Sequence, residues 1–360
     1  MKLLSICDPT RYSRAPLDVP AFYQRLSRDE RVDFYHLPSP QVFETQALKD
    51  TVPAISAIAS TGTLPYADFL QLGEQRPTAI NLSEIDLVFC RTLKPFPDGY
   101  LNQLAQWEKF TRFVNSPTGK QTQMRSDFLP SIAKDYIPKT LVTSRYAEAI
   151  AFFEKHQTIV AKQANSCGGR GVFKIWYDSG YFQLDNILTG CGSFANFSQV
   201  MEFLQRGQSE PLQFCRYLHR TQEGDKRVVV VDGEIYGSYL RRSKSGHWVN
   251  NVSQDGECSL SEISEGERAA IRDTVGYYQA LGLHTLGYDF LMDDDGTWKI
   301  SEINAGNIGG FARLELLTGD PVMTRLTDWL LAFSKRSQPS KAPRLQHNSL
   351  QSHLELAGVA

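Results

Sequence analysis

Through the first 115 residues, short apolar runs alternate with stretches whose apolar positions recur at helical spacing. Leu3 to Cys7, Val32 to Leu37 and Asp86 to Cys90 predict strands, and 18–28 and 99–111 predict helices. That alternation predicts an α/β layer. Residues 38–82 are rich in Pro, Thr, Ser and Gly and read as a long excursion without assignable elements. From Asn115-Ser116-Pro117 onward the pattern predicts helices over 121–133 and 145–156, a strand from Thr158 to Lys162, a glycine-rich turn, and a strand from Val172 to Trp176. A mostly β block follows. Arg227 to Val231 and Glu234 to Leu240 flank Asp232-Gly233, the two-residue signature of a tight hairpin. The pattern then predicts a helix over 264–281, strands over 285–292 and 297–303, and a helix over 320–334. Residues 335–360, rich in Ser, Gln, Lys and Pro, read as a mobile tail.

Length and charge narrow the class. At 360 residues with 41% hydrophobic side chains, the chain exceeds one ordinary core and predicts two or three domains. Thirty-eight Lys and Arg against 40 Asp and Glu leave a net charge of −2, so no global basic field recruits nucleic acid or an anionic membrane. Any anionic ligand must be held by a local site. No apolar run approaches the roughly 20 residues of a membrane span. The six cysteines form no Cys-x-x-Cys pair, which argues against a zinc knuckle or a dense disulfide framework and fits the cytoplasm.

Three segments carry candidate chemistry. In the first, a strand ending at Lys162 leads into Gln163-Ala164-Asn165-Ser166-Cys167-Gly168-Gly169-Arg170-Gly171 and then a second strand. Glycines let backbone N–H groups turn toward a phosphate chain, and the lysine adds a point charge. A plain hairpin with a glycine bulge satisfies the same pattern. It is neither a Walker loop nor a dinucleotide fingerprint, because a strand follows rather than a helix. In the second segment, Asp289 lies on one strand while Glu302 and Asn304 lie on the next, two positions apart and therefore on one face. Converging oxygen donors suit Mg²⁺, whereas an exposed acidic hairpin is the bland alternative, and it is the one expected for the turn acids Asp293 to Asp295. The third is Gly224-Asp225-Lys226-Arg227 at the head of an apolar strand, either a solvated strand end or a site for an arginine fork on a phosphoryl oxygen. His219, His247 and His284 are read as packing or surface histidines.

The order of these segments resembles the ATP-grasp superfamily, and within it the bacterial glutathione synthetases and the related ribosomal-protein glutamate ligases. Gln222 to Glu234 is similar to the synthetases nearly residue for residue, with further likeness at Arg91 to Phe96, Val114 to Pro117, Ile137 to Val142 and the glycine loop. The resemblance implies an ATP-grasp fold of α/β (α+β) class. It divides the chain into an N-terminal α/β domain over 1–115, a central subdomain with a glycine-rich small lid over 116–205, a C-terminal subdomain with the metal site and large loop over 206–334, and the tail. It implies ATP and Mg²⁺, with Mn²⁺ an alternative, and small-molecule carboxylate and amine substrates. Family members are commonly homo-oligomers.

Residue by residue, the resemblance puts Lys162 on the α/β-phosphates under Gly168, Gly169 and Gly171. Cys215, Arg216, Tyr217 and Leu218 would form the hinge that meets adenine through its backbone, and Asp225 would meet the ribose. Arg227 would stabilise the transferring phosphoryl group, and Asp289, Glu302 and Asn304 would hold magnesium. Asn251, Gly309 and Gly310 fall at substrate positions. Departures are clear: Arg125 stands near the usual second ATP lysine, Val249 stands where the large loop carries an arginine, and Gly306 to Gly310 replaces a Thr-Ser-Pro-Thr segment. Arg241, Arg242 or Arg313 would compensate if one reached the place left by Val249. The expected activity is carboxylate–amine ligation through an acyl phosphate. A ligase making another peptide or tagged metabolite, a kinase that stops at the phosphate, and a non-catalytic nucleotide-binding regulator are the competing readings. Ser243 to Glu257 is expected to be a lid.

Overall fold

The computed structural model describes residues 1–12, 18–43, 50–57, 64–164, 166, 168–244, 246–249 and 257–336. Asn251, most of the expected lid and residues 337–360 of the expected tail lie outside the described residues.

The N-terminal apolar runs become strands β1 (Lys2–Cys7), β2 (Asp33–Pro38), β3 (Thr51–Ser56), β4 (Thr78–Asn81), β5 (Leu87–Cys90) and β6 (Phe113–Val114), in the order β4-β3-β2-β1-β5-β6. The stretch 38–82, unassigned from sequence, thus supplies the two antiparallel strands at one side of the sheet and the short helix α2 (Tyr66–Leu70), after α1 (Val19–Leu26). Their sequences are too short and too broken by proline for a period to show. The strands β2, β1, β5 and β6 are parallel, and the chain reverses direction of travel across the sheet between β1 and β5. Helix α3 (Tyr100–Trp107) is shorter than the 99–111 expected.

The helix expected over 121–133 is two helices, α4 (Pro117–Gln123) and α5 (Phe128–Ile132). Ser116 caps the first by accepting from Gly119 N at 3.0 Å, and Pro117 follows at the first helical position. The break between them carries Arg125 and Asp127, whose side chains pair with each other at 2.9 Å. Helix α6 (Tyr146–His156) and strands β7 (Thr140–Thr143), β8 (Ile159–Lys162), β9 (Val172–Asp178), β10 (Tyr181–Asn186), β11 (Gly190–Phe194) and β12 (Leu212–Arg216) build the central sheet, ordered β11-β10-β9-β8-β12-β7 and antiparallel throughout, with α7 (Phe197–Gln205). Strand β12, placed by the sequence reading on the C-terminal side of a boundary at 205/206, hydrogen-bonds inside this central sheet.

The third sheet, order β15-β14-β13-β16-β17, contains β13 (Asp225–Val231), β14 (Glu234–Arg242), β15 (Glu257–Leu260), β16 (Thr285–Met292) and β17 (Trp298–Asn304). Helix α8 (Glu265–Ala280) begins with a reciprocal cap between Ser264 and Glu267, while α9 (Phe311–Thr318) and α10 (Val322–Ser334) close the chain. One apolar core joins Leu3, Phe22 and Phe89 of the N-terminal layer to Val229, Ile308, Phe311 and Leu330 of the C-terminal layer. The central sheet has a separate core around Phe153, Phe197 and Phe214. No helix among the described residues is long and apolar enough to cross a membrane.

Candidate active site

The cleft between the central and C-terminal sheets is lined by Lys162, Gly168, Gly169, Cys215 to Leu218, Asp225, Asp289 and Glu302. Strand register explains much of this convergence. Arg227 on β13 stands opposite Asp289 on β16, and Asp289 stands opposite Glu302 on β17, so the three form one row across adjacent strands. A register shift after Asp289 lets the row close. Gly287 leaves room for the arginine, since a Cβ there would stand 3.1 Å from Arg227 Nη1.

Arg227 grips Asp289 with both arms, Nε to Oδ1 at 2.5 Å and Nη2 to Oδ2 at 2.9 Å. Arg241 reaches the same carboxylate at 2.7 Å and also donates to Asp225 Oδ1, from Nε at 2.7 Å. Asn304 Nδ2 adds a fourth donor to Asp289 at 3.0 Å. Burial works to raise the Asp289 pKa, but Arg227 and Arg241 hold it below the ordinary value. Asp225 goes the other way: burial pushes its carboxyl up to about 6 against the pull of Arg241. Arg241 belongs to this charged cluster and lies on the same face of β14 as Tyr239.

The Glu302 carboxylate has no hydrogen-bond or ion-pair partner among the described residues and faces the cleft. No group of three His, Cys, Asp or Glu side chains among the described residues could hold a metal unaided. Each Asp289 oxygen already accepts two donors, which leaves Glu302 and Asn304 Oδ1 as the hard oxygens that could meet Mg²⁺ shared with phosphate oxygens rather than a closed protein cage.

Lys162 ends β8 and donates to Ser301 O at 2.6 Å across the cleft. Gly168 and Gly169 have φ of +63° and +79°, which favours glycine, and line the cleft. Gly171 does not line it. Its carbonyl accepts from Gln163 N at 2.9 Å, and a Cβ there would lie 2.6 Å from Ser166 Cβ, so its place is in closing the loop. Asn186, missed by sequence reasoning, holds the turn: its Nδ2 donates to the carbonyls of Gly169, Arg170 and Val172 at 3.0, 3.0 and 2.9 Å.

At the hinge, Arg216 N and Tyr217 N donate to Lys139 O and Thr158 O, which leaves Leu218 N–H without a hydrogen bond among the described residues. The Arg216 guanidinium turns away from the cleft to Asp293 at 2.6 Å and Asp294 at 2.9 Å, and His219 joins Asp294. The turn acids are therefore not a bare exposed hairpin as expected; Asp293 is buried and ties the C-terminal hairpin to the hinge. Arg125 reaches the cleft rim, but its charge is engaged by Asp127. Two other lysines were missed: Lys94 lines the cleft, and Lys120 is buried beside Gly306, its pKa driven well down by burial. Of the backbone N–H groups expected at the substrate, that of Gly310 is engaged elsewhere. Gly310 N donates to Asp18 at 2.8 Å, and Gly309 O accepts from Arg227 Nη1 at 3.2 Å.

The family described as prokaryotic glutathione synthetase, ATP-grasp domain, matches residues 128–319, more than half of the chain. The chain belongs to that family. Among relatives of the prokaryotic glutathione synthetase family, the glutathione synthetase of Prochlorococcus marinus subsp. pastoris is 22% identical over 336 residues, covering 92% of this chain and 99% of the relative. That of Agrobacterium fabrum is 26% identical over 264 residues, covering 72% and 76%. Similar folds are those of D-cycloserine synthetase DcsG, with a TM-score of 0.62, 13% identity and coverage of 93% of this chain and 100% of that one, and the ATP-grasp ligase PsnB complexed with minimal precursor, Mg and ADP, at 0.52, 16%, 93% and 98%. The ATP-grasp fold expected from the motif order is thereby established, and with it a family of ATP-dependent ligases.

Proposed function

We propose that this protein is an ATP- and Mg²⁺-dependent carboxylate–amine ligase of the glutathione synthetase type. The observation that carries the proposal is the pair Asp289 and Glu302, backed by Arg227, on a cleft that Lys162 and the glycine turn also line. Lys162, Gly168 and Gly169 take the phosphate chain, Leu218 N–H meets the base, and Asp225 meets the ribose. Phosphoryl transfer needs positioning and charge neutralisation more than a protein nucleophile, and this cleft offers both. A substrate carboxylate oxygen attacks the γ-phosphorus, the bond to the ADP oxygen breaks, and Arg227 and Arg241, paired with Asp289 at the cleft wall, offset the shifted negative charge. The amine nitrogen then attacks the acyl carbon, phosphate leaves with the C–O electron pair, and the nitrogen sheds its proton. Mg²⁺, held by Glu302 and Asn304, would supply charge neutralisation between the phosphates.

The acceptor amine is the part of the reading in which this chain departs most from the glutathione type. Val249 offers no charge, and the Gly309 carbonyl and the Gly310 N–H are committed to Arg227 and Asp18. A glycine acceptor is accordingly not part of the proposal. The test is ADP release from Mg·ATP over a panel of γ-glutamyl peptides with and without amino-acid acceptors. Release that requires both substrates supports the ligase, and release that requires neither amine nor carboxylate rejects it.

A further inference from the structure

Two separate parts of the chain roof the cleft, and a single cluster of contacts joins them. Trp248, in the segment after β14, donates its indole N–H to Asp185 Oδ2 on β10 at 2.6 Å. His247 Nε2 lies 3.4 Å from the same oxygen, and its ring stacks on Trp248 with centroids 5.5 Å apart and planes at 29°. The indole also meets the hinge residue Tyr217 edge to face, at 6.1 Å. The next residue, Val249, is buried, with its Cγ1 3.3 Å from where a Cβ on Gly169 would stand. Trp248 and Val249 line the cleft together with Gly169, Tyr217 and Asp225.

The position of Asp185 gives this contact a consequence. Its chain neighbour is Asn186, whose amide holds the carbonyls of Gly169, Arg170 and Val172. A hold on Asp185 is thus one residue away from a hold on the glycine turn. We propose that Trp248 is a positioning residue, which clasps the central sheet through Asp185 and so sets the glycine turn over the nucleotide while its ring walls the base-and-ribose end. This rests on the nucleotide-dependent ligase reading above. The clasp bridges two sheets with separate cores, so it exists only when the two close on the cleft, and apparent nucleotide affinity scales with the fraction in that arrangement.

The test is calorimetric titration of Mg·ADP into the full chain and into Trp248→Phe, Asp185→Ala and the double variant. Trp248→Phe keeps an aromatic wall and removes only the N–H donor. Loss of one hydrogen bond to a charged acceptor predicts about tenfold weaker binding in each single variant. Because both partners serve one contact, the double variant should bind no more weakly than the worse single one. Mg·ADP should also change the tryptophan emission of the native protein, and Trp248→Phe should abolish that change, which a merely structural residue would not do. Native affinity in the folded single variants, additive losses, or an emission change that survives Trp248→Phe would overturn the clasp and leave the ligase reading standing. A native protein that does not bind Mg·ADP would overturn both.

Discussion

Asp289 receives donors from Arg227, Arg241 and Asn304, whereas Glu302, its neighbour across the strands, has no such partner among the described residues. The two carboxylates therefore have different tasks. Glu302 carries negative charge that only a cation can answer, so Glu302→Gln should lower ligation on the order of a hundredfold or more while the melting temperature stays near native. Near-native turnover at saturating Mg²⁺ would remove Glu302 from the metal set. Outside the cleft, His36 is fully buried, with Nδ1 2.8 Å from Tyr23 OH and Nε2 without a partner among the described residues. Burial lowers its pKa to about 3, below the unfolded value near 6.5. The unfolded chain then binds more protons than the folded one between those values, so this residue's contribution to stability is complete above pH 6.5 and is lost as pH falls toward 3. Denaturant melts of His36→Gln should show a shallower loss of stability between pH 6.5 and 4 than the native chain. That Asp289, Glu302 and Asn304 lie together on neighbouring strands was legible in sequence from strand alternation. The arginine–carboxylate pairing was not, because it depends on register between β13 and β16, which no local pattern encodes.

Strands and helices with clear periods were legible; elements fixed by tertiary contact were not. The pair β3 and β4 draws its stability from neighbours, and α4 stops at Gln123 although the pattern runs on to 133. Asn115 shows why that region was opaque: its Nδ2 donates to Thr285 O and Ala305 O, both at 2.8 Å, while its Oδ1 accepts from His284 N at 2.7 Å and Thr285 N at 2.9 Å. One side chain thereby staples the start of α4 to β16 and to the segment after β17. Asn115→Ala leaves three buried backbone groups and one part-buried group short of a partner and should cost about 3 kcal/mol of unfolding free energy. A loss within the usual surface range of about 0.5 kcal/mol would show that these bonds are replaced.

The N-terminal and C-terminal layers share one apolar core, and the central sheet has its own. Truncating Phe153, a buried member of the central core, should cost about 3–5 kcal/mol and appear as lost amide protection in β8 to β12, leaving β1 and β13 protected. Equal loss in all three sheets would mean that the chain unfolds as one unit. Motif order, not composition or charge, revealed the fold. What sequence could not supply is how two lobes meet, which is where Trp248 and Asp185 act. The central claim is that a carboxylate is activated by phosphoryl transfer from ATP before an amine attacks. It is tested most directly with γ-glutamylcysteine labelled with ¹⁸O in its cysteinyl carboxylate, Mg·ATP and an amino-acid panel, followed by mass analysis of the phosphate released. The account predicts ADP and phosphate carrying one ¹⁸O for each amide bond formed. Amide formation with unlabelled phosphate, or with AMP and pyrophosphate instead of ADP, would contradict it.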